Sequence, residues 1–354
     1  MREASLKFLE ELLGQMSPSG FEADAANRWK AEAESFADEV KRDVHGNTIA
    51  VVNPEGKPRV MLAGHIDEIG FMVKYIDEKG FISFAPIGGW DPQIAQGQRV
   101  WIKGKNGIVL GVIGKKPIHL MQPEERKKVV EIKQMFIDIG AKNKEEAEKY
   151  VSVGDPIVVA HKFERMLGNK AVARGFDDRI GAFVILEALR LLAEDRPKHA
   201  ATFAVATVQE EIGLRGAKTS AFGIDPQVGI AVDVTFATDT PGIDKKQIGD
   251  IKLGGGPVIA RGPNINHKVF DMLVETAKEL DIPYQIEGIP RGTGTDANVI
   301  QLTRAGVATG LISIPNRYMH TPCEMVDLED VENAAKLIAG FVRKLTPETD
   351  LRPF

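Results

Sequence analysis

The sequence has 354 residues, 43% of them hydrophobic, a formal net charge of -5 and a single cysteine. This length exceeds what one compact core usually serves, so we expect a main domain with an inserted or second domain. Interspersed charges argue against a nucleic-acid surface, and the lone cysteine excludes a disulfide framework and a cysteine-based metal cluster. Without a signal peptide or an apolar run of about 18 residues, we expect a cytoplasmic protein with no membrane partner.

The first 69 residues predict helix followed by strand. Leu6, Leu9 and Leu12 fall on one helical stripe, and the segment SPSG at 17–20 interrupts that pattern. The apolar segments NTIAVV and RVMLAGH then predict two strands, the second of which ends at a histidine.

Residues 70–163 have a different texture and predict a small β-rich domain inserted into the chain. Two pairs of strand segments flank the turns DEKG and KNG, and GDPIVVA predicts a closing strand. Between them, the polar stretch 122–150 predicts a helix with a glycine stop.

Helix and strand alternate again after residue 163. The apolar segments HAATFAVATV, VGIAVDV and VATGLISIP predict strands, and amphipathic segments such as HKVFDMLVETAKELD predict helices. We therefore predict an α/β main domain of residues 1–69 and 164–354, built as three layers with a mostly parallel sheet and helices on both faces. In such sheets, ligands bind beyond the carboxyl ends of the strands.

Imidazoles and carboxylates gather at these predicted strand ends. In chain order they are His65 and Asp67, Asp177 and Asp178, Glu210 and Glu211, Asp233, and His320. With no matching cluster of lysines or arginines, these side chains would repel one another unless cations held them. Five ligands with one bridging carboxylate suit two divalent ions, and the histidine-carboxylate mixture favours zinc, cobalt or manganese over calcium or magnesium.

The two adjacent glutamates are expected to have different roles, because consecutive residues at a strand end point in different directions. We expect Glu211 to bind an ion and Glu210 to accept the proton of the water that the ions activate. Asp67 is placed to accept the ring N–H of His65 and so to fix its tautomer.

Several alternatives compete with this interpretation. Each residue alone could be a loop histidine, a helix cap or a solvated turn. An amidohydrolase of N-acylated amino acids would keep the ions but require a blocked amine. A carboxylate-pair glycosidase using Glu210 and Glu211 leaves both histidines unexplained. A scaffold whose metal only stabilises an assembly would have a closed site, with no spare carboxylate beside a water.

The chain resembles the M42 family of metallo-aminopeptidases over essentially its whole length. The motifs that carry the resemblance are SPSGFE, AGHIDEIG, GFDDRIG, VQEEIGLRGA, AVDVT, RGTGTDAN and MHTPCE. The resemblance implies a binuclear aminopeptidase acting on short peptides, with residues 1–69 and 164–354 as the catalytic domain. It also implies a lid and dimerisation role for residues 70–163, and dimers that assemble into a hollow dodecamer.

The resemblance also assigns roles at the site. His65 and Asp233 would bind one ion, Glu211 and His320 the other, with Asp177 bridging them. Glu210 would be the general acid and base, and Asp178 would be structural.

Two glycine-rich segments lack the endings of nucleotide-binding loops and are candidates for the substrate pocket. The predicted substrate-binding residues are Gly255, Gly256, Arg291, Thr293 and Asp296. Arg291 would favour acidic substrate side chains if it faces inward, or it would form a structural ion pair. Cys323, three residues after His320, is expected to be a small buried hydrophobe rather than a nucleophile.

Overall fold

The computed structural model describes all residues, 1–354. Its strands are β1 (Glu39–Arg42), β2 (Thr48–Val52), β3 (Arg59–His65), β4 (Gly70–Ile76), β5 (Ile82–Ile87), β6 (Arg99–Gly104), β7 (Gly107–Gly114), β8 (Phe136–Asp138), β9 (Pro156–Val159), β10 (Glu164–Arg165), β11 (Lys170–Ala173), β12 (Ala201–Thr207), β13 (Val228–Phe236), β14 (Val258–Arg261), β15 (Gln285–Gly288), β16 (Ala308–Asn316) and β17 (Glu324–Asp327).

Helices alternate with the strands outside residues 70–159, and only two four-residue α-helices lie within that segment. The α-helices are α1 (Glu3–Leu13), α2 (Ala23–Ala33), α3 (Pro92–Ala95), α4 (Lys144–Ala147), α5 (Phe176–Glu194), α6 (Arg215–Ile224), α7 (Lys245–Ile248), α8 (His267–Glu279), α9 (Ala297–Ile300) and α10 (Leu328–Lys344). None of them is both long enough and apolar enough to cross a bilayer.

An eight-stranded sheet has the order β1-β2-β12-β3-β13-β16-β14-β15. The four central strands β12, β3, β13 and β16 run parallel, and antiparallel neighbours flank them. Every residue of β12 is buried, as expected for a parallel strand covered on both faces. The predicted α/β fold with a mostly parallel sheet is confirmed, and the carboxyl ends of the four central strands meet at one edge.

Two glycines allow α5 to approach the sheet closely. A Cβ on Gly64 of β3 would lie 2.4 Å from the backbone carbon of Gly181, and one on Gly181 would lie 2.3 Å from the carboxylate of Asp178. No side chain fits at either position. The close approach brings the first turn of α5, with Asp177 and Asp178, beside His65 at the end of β3.

Strands β4, β5, β8, β7, β6 and β9 form a small closed barrel. The barrel has its own core of 15 buried hydrophobic residues, separate from the 68-residue core around the large sheet. The predicted β-rich segment is therefore a barrel.

The helix predicted over residues 122–150 is wrong. That stretch forms 3₁₀ turns, strand β8 and the four-residue helix α4. Ile137 of β8 is fully buried and pairs with Ile82 and Ile113 of the neighbouring barrel strands. Pairing and burial in the barrel outweigh the helical pattern of the surrounding polar residues.

A third, antiparallel sheet of β10, β11 and β17 lies near the site. Strand β11 ends at Ala173, shortly before Asp177, and β17 begins at Glu324, shortly after His320. The pairing of Ala173 with Glu324 therefore brings these two loops together.

Candidate metal centre

One cavity of about 580 Å³ collects the side chains that follow the central strands. Its lining includes all five predicted metal ligands and the predicted proton acceptor: His65, Asp177, Glu210, Glu211, Asp233 and His320. They come from β3, the start of α5, the turn after β12, β13 and the loop between β16 and β17. The topology of the parallel sheet thus gathers residues that are far apart in sequence.

Asp177 lies between the two histidines. Its Oδ1 is 3.2 Å from His65 Nε2, and its Oδ2 is 3.2 Å from His320 Nε2. Each carboxylate oxygen therefore faces a different imidazole, which is the arrangement that a carboxylate shared by two ions requires. The peptide bond between Asp177 and Asp178 is cis.

Both histidines direct Nε2 towards the cavity because Nδ1 is engaged elsewhere. His65 Nδ1 is 3.1 Å from the carbonyl oxygen of Asp67, and His320 Nδ1 is 3.0 Å from that of Gly89. A carbonyl oxygen only accepts hydrogen bonds, so each Nδ1 donates. Nε2 then donates to Asp177 when the imidazole is protonated, and carries the lone pair that an ion would bind when the imidazole is neutral. Gly89 follows β5, so the barrel segment helps to orient His320.

Two groups of side chains are close enough to hold a cation. Ligand atoms of His65, Asp178 and Asp233 lie within 4.8 Å of one another, as do those of His65, Asp177 and Glu211. The Asp178 carboxylate, however, already accepts hydrogen bonds from the backbone N–H of His65 at 3.1 Å and of Gly181 at 3.0 Å. Those bonds support the structural role expected for Asp178.

Asp67 holds the turn that carries the paired glutamates. Its Oδ1 accepts from the Glu210 N–H and its Oδ2 from the Glu211 N–H, both at 3.1 Å. The Ser19 hydroxyl also donates to Oδ2. The Asp67 carboxylate lies 3.5 Å from His65 Nδ1, whereas the backbone carbonyl oxygen of Asp67 lies 3.1 Å from the same nitrogen. The carboxylate of fully buried Asp67 therefore fixes the backbone of Glu210 and Glu211 more directly than it fixes the His65 imidazole.

The Glu324 carboxylate connects the backbone of two candidate ligands, Asp177 and His320. Its Oε2 accepts from the backbone N–H of Asp177 and its Oε1 from that of His320, both at 2.9 Å. Since Glu324 is 2% exposed, this fork is shielded from water and fixes both backbone segments relative to each other.

The cluster carries more carboxylates than its two imidazoles can neutralise. Burial, with nearby carboxylates, raises the pKa of Glu210 to about 10 and that of Asp233 to about 7. Burial also raises the pKa of Glu211, whose Oε1 is buried without a hydrogen-bond partner.

Asp177 behaves in the opposite way. Burial opposes its ionisation, but hydrogen bonds from His320 and His65 outweigh that effect and lower its pKa. An anionic carboxylate between two imidazoles, surrounded by under-neutralised carboxylates, fits divalent cations, which would supply the missing positive charge.

Residues 46–337 match the sequence model of the M42 glutamyl aminopeptidase family. The chain belongs to this family. As an M42 member it is an aminopeptidase, a hydrolase of peptide bonds, from a metal-dependent family. The lysyl aminopeptidase of Pyrococcus furiosus is 43% identical over 313 residues, which cover 88% of each chain.

Solved structures extend this similarity to the whole fold. A TET aminopeptidase from a marine-sediment Thaumarchaeota archaeon is 39% identical, with a TM-score of 0.93 over 97% of both chains. The TET1 peptidase of Pyrococcus horikoshii, which can assemble into a tetrahedron or a large octahedral shell, is 32% identical. Its TM-score is 0.86 over 96% of this chain and 100% of that one.

Of the five residues predicted to bind substrate in this M42 member, two line the cavity and three do not. Arg291 and Thr293 line the cavity, whereas Gly255 and Gly256 are not among its lining residues. The Gly256 N–H instead donates to Asp330 Oδ1 at 2.7 Å. Asp296 is 2% exposed and accepts a hydrogen bond from Thr207 at the end of β12, behind the lining.

The prediction that Cys323 is a buried hydrophobe is wrong, because the residue is exposed. Its Sγ lies 3.8 Å from His161 Nδ1 and not against His320. Partial burial and the nearby Glu164 raise the pKa of the thiol, which disfavours the thiolate that a nucleophile needs.

Three further polar residues at the site were missed by the sequence interpretation. Ser19 and Glu324 lie within the motifs SPSGFE and MHTPCE, which carry the family resemblance but do not indicate what these two side chains contact. Glu287 lies on the short strand β15, where no sequence pattern marks it.

Proposed function

We propose that this M42 aminopeptidase uses two divalent ions to release residues from the amino ends of short peptides. In this proposal His65 and Asp233 would hold one ion, Glu211 and His320 would hold the other, and Asp177 would be shared by both. The observation that carries the proposal is the position of Asp177, with one oxygen 3.2 Å from each histidine. Zinc or cobalt suits these imidazole and carboxylate ligands best.

The bound ions would polarise the scissile carbonyl, lower the pKa of the attacking water and stabilise the developing oxyanion. Glu210 accepts the proton of that water and delivers it to the nitrogen of the departing peptide, so the proton is conserved. The position of Glu210 in the cavity, with Oε2 3.7 Å from His65 Nε2, supports this role. Asp67 acts as a positioning residue, because its carboxylate holds the backbone of both glutamates.

We also propose that residues 1–69 and 164–354 form the catalytic domain, with three layers and helices on both faces of the sheet. Residues 70–163 would then form the inserted domain. The contact of Gly89 with His320 supports a lid role for this insert. A cytoplasmic location stays a prediction.

The barrel surface supports a role in dimerisation and assembly. Ile108, Leu110 and Val112 alternate along β7 and are exposed by 63%, 56% and 45%. A stripe of exposed apolar side chains is typical of an interface between subunits. We propose that dimers form here and assemble into a dodecamer that admits only short peptides. A monomer in light scattering of the metal-loaded protein would contradict this proposal.

Hydrolysis of paired peptides, free or N-acetylated at the amino end, tests the proposed function. Protein stripped of metal and reloaded with zinc or cobalt should release the first residue from the free peptides only. Cleavage of only the acetylated set would replace the proposal with an amidohydrolase. Hydrolysis that does not depend on metal would refute the ion-based mechanism.

A further inference from the structure

One carboxylate in the cavity stands apart from the candidate metal ligands. Glu287, on the edge strand β15, lines the same cavity as His65 and Asp233 and is partly buried. Its Oε2 accepts a hydrogen bond of 2.7 Å from Thr235 Oγ1. Burial raises the pKa of this carboxyl, and only the Thr235 hydrogen bond opposes that effect. No lysine or arginine of the chain therefore compensates its charge.

The spacing between Asp233 and Thr235, the residue that contacts Glu287, suits the side chain of a bound residue. Thr235 follows Asp233 by two positions on β13, so both side chains point to the same face, roughly 7 Å apart along the strand. A substrate whose first residue is held at the metal centre would therefore place the end of a long side chain near Thr235 and Glu287.

The cavity lining also includes apolar side chains. Ile289, Leu311 and Met319 line the same cavity. Lysine carries its ammonium on a four-carbon stem, and such stems pack well on apolar surface while the charged end reaches a polar partner.

We propose that Glu287 selects peptides whose first residue is lysine or arginine, by pairing with the cationic end of that side chain. This inference rests on the proposed aminopeptidase function and concerns the same cavity. A cation there would give Glu287 the partner that it lacks within the chain. An N-terminal glutamate would instead bring a second negative charge to a partly desolvated carboxylate.

Arg291 lines the same cavity and would favour the opposite preference. It is exposed, however, whereas Glu287 is partly buried. Solvent and salt screen an exposed charge more strongly than a partly buried one. The balance between the two charges therefore favours basic side chains over acidic ones.

Three tripeptides that differ only in the first residue test the inference: lysine, the uncharged isostere norleucine, and glutamate. For the metal-loaded protein we expect kcat/KM for lysine to exceed that for norleucine by about 10- to 100-fold, the range expected from a hydrogen bond to a charged group. In Glu287→Gln this ratio should fall close to one, while norleucine is still released. Glu275→Gln, on the exposed surface of α8, is the matched control and should keep the wild-type ratio.

Reversing the charge at position 287 should reverse the substrate preference. Glu287→Lys should make glutamate a better substrate than lysine. A wild-type enzyme that releases norleucine as fast as lysine, or a ratio unchanged in Glu287→Gln, would overturn the assignment of Glu287 and leave the proposed function intact. Failure to release any of the three peptides would overturn both.

Discussion

Replacing Glu210 by glutamine is expected to lower kcat by about 10²- to 10⁴-fold, the usual contribution of a positioned general base. Glutamine has nearly the same shape but cannot accept the proton of the attacking water. The Asp67 bond to the backbone N–H at position 210 does not involve the side chain and should persist. Steady-state kinetics, together with metal analysis and peptide-binding calorimetry, measure the effect.

The neighbouring glutamate provides the contrast for this prediction. Glu211→Gln should lower the affinity for one ion, whereas Glu210→Gln should retain both ions and peptide affinity. Wild-type turnover by Glu210→Gln would remove Glu210 from the proposed proton transfer. Loss of metal from Glu210→Gln would instead make it a ligand.

Replacing Asp177 by alanine is expected to weaken the binding of both ions together. Its two oxygens face different histidines, so the substitution removes a ligand from each proposed site. Loss of even an outer hydrogen-bond partner of a metal ligand costs about 10- to 100-fold in affinity or activity, so the loss of a shared ligand should cost at least about 100-fold. Metal content after dialysis and peptide hydrolysis report the two effects.

Substitutions of two other aspartates provide the controls for this prediction. Asp233→Ala should weaken only one ion site, and Asp195→Ala, at the exposed end of the same helix α5, should change neither metal content nor activity. If Asp177→Ala kept one ion at wild-type affinity, Asp177 would serve a single site and would not be a bridge.

The central strands and the gathered ligands could be predicted because both depend on simple rules. Fully apolar segments such as β12 predict buried parallel strands, and the carboxyl ends of such strands meet at one edge. His65, Glu210 and Asp233 could therefore be brought together before any geometry was known. Which oxygen faces which histidine could not be predicted, because it depends on the close approach of Gly64 and Gly181.

The features that could not be predicted from the sequence depend on contacts between residues that are distant along the chain. Residues 122–150 read as helical, yet Ile137 pairs within the barrel. Glu324 supports Asp177 across 147 positions of sequence, a contact that no local pattern shows. Glu287 acquires its place in the cavity only because β15 pairs with β14 at the edge of the sheet.

The most direct test of the two-ion centre is a titration of metal-stripped protein with zinc or cobalt, with bound ions per chain and peptide hydrolysis measured on the same samples. We expect hydrolysis to be absent from the stripped protein and to reach its maximum as two ions bind per chain. Full hydrolysis by the stripped protein, or with only one ion bound per chain, would contradict the two-ion centre between His65 and His320.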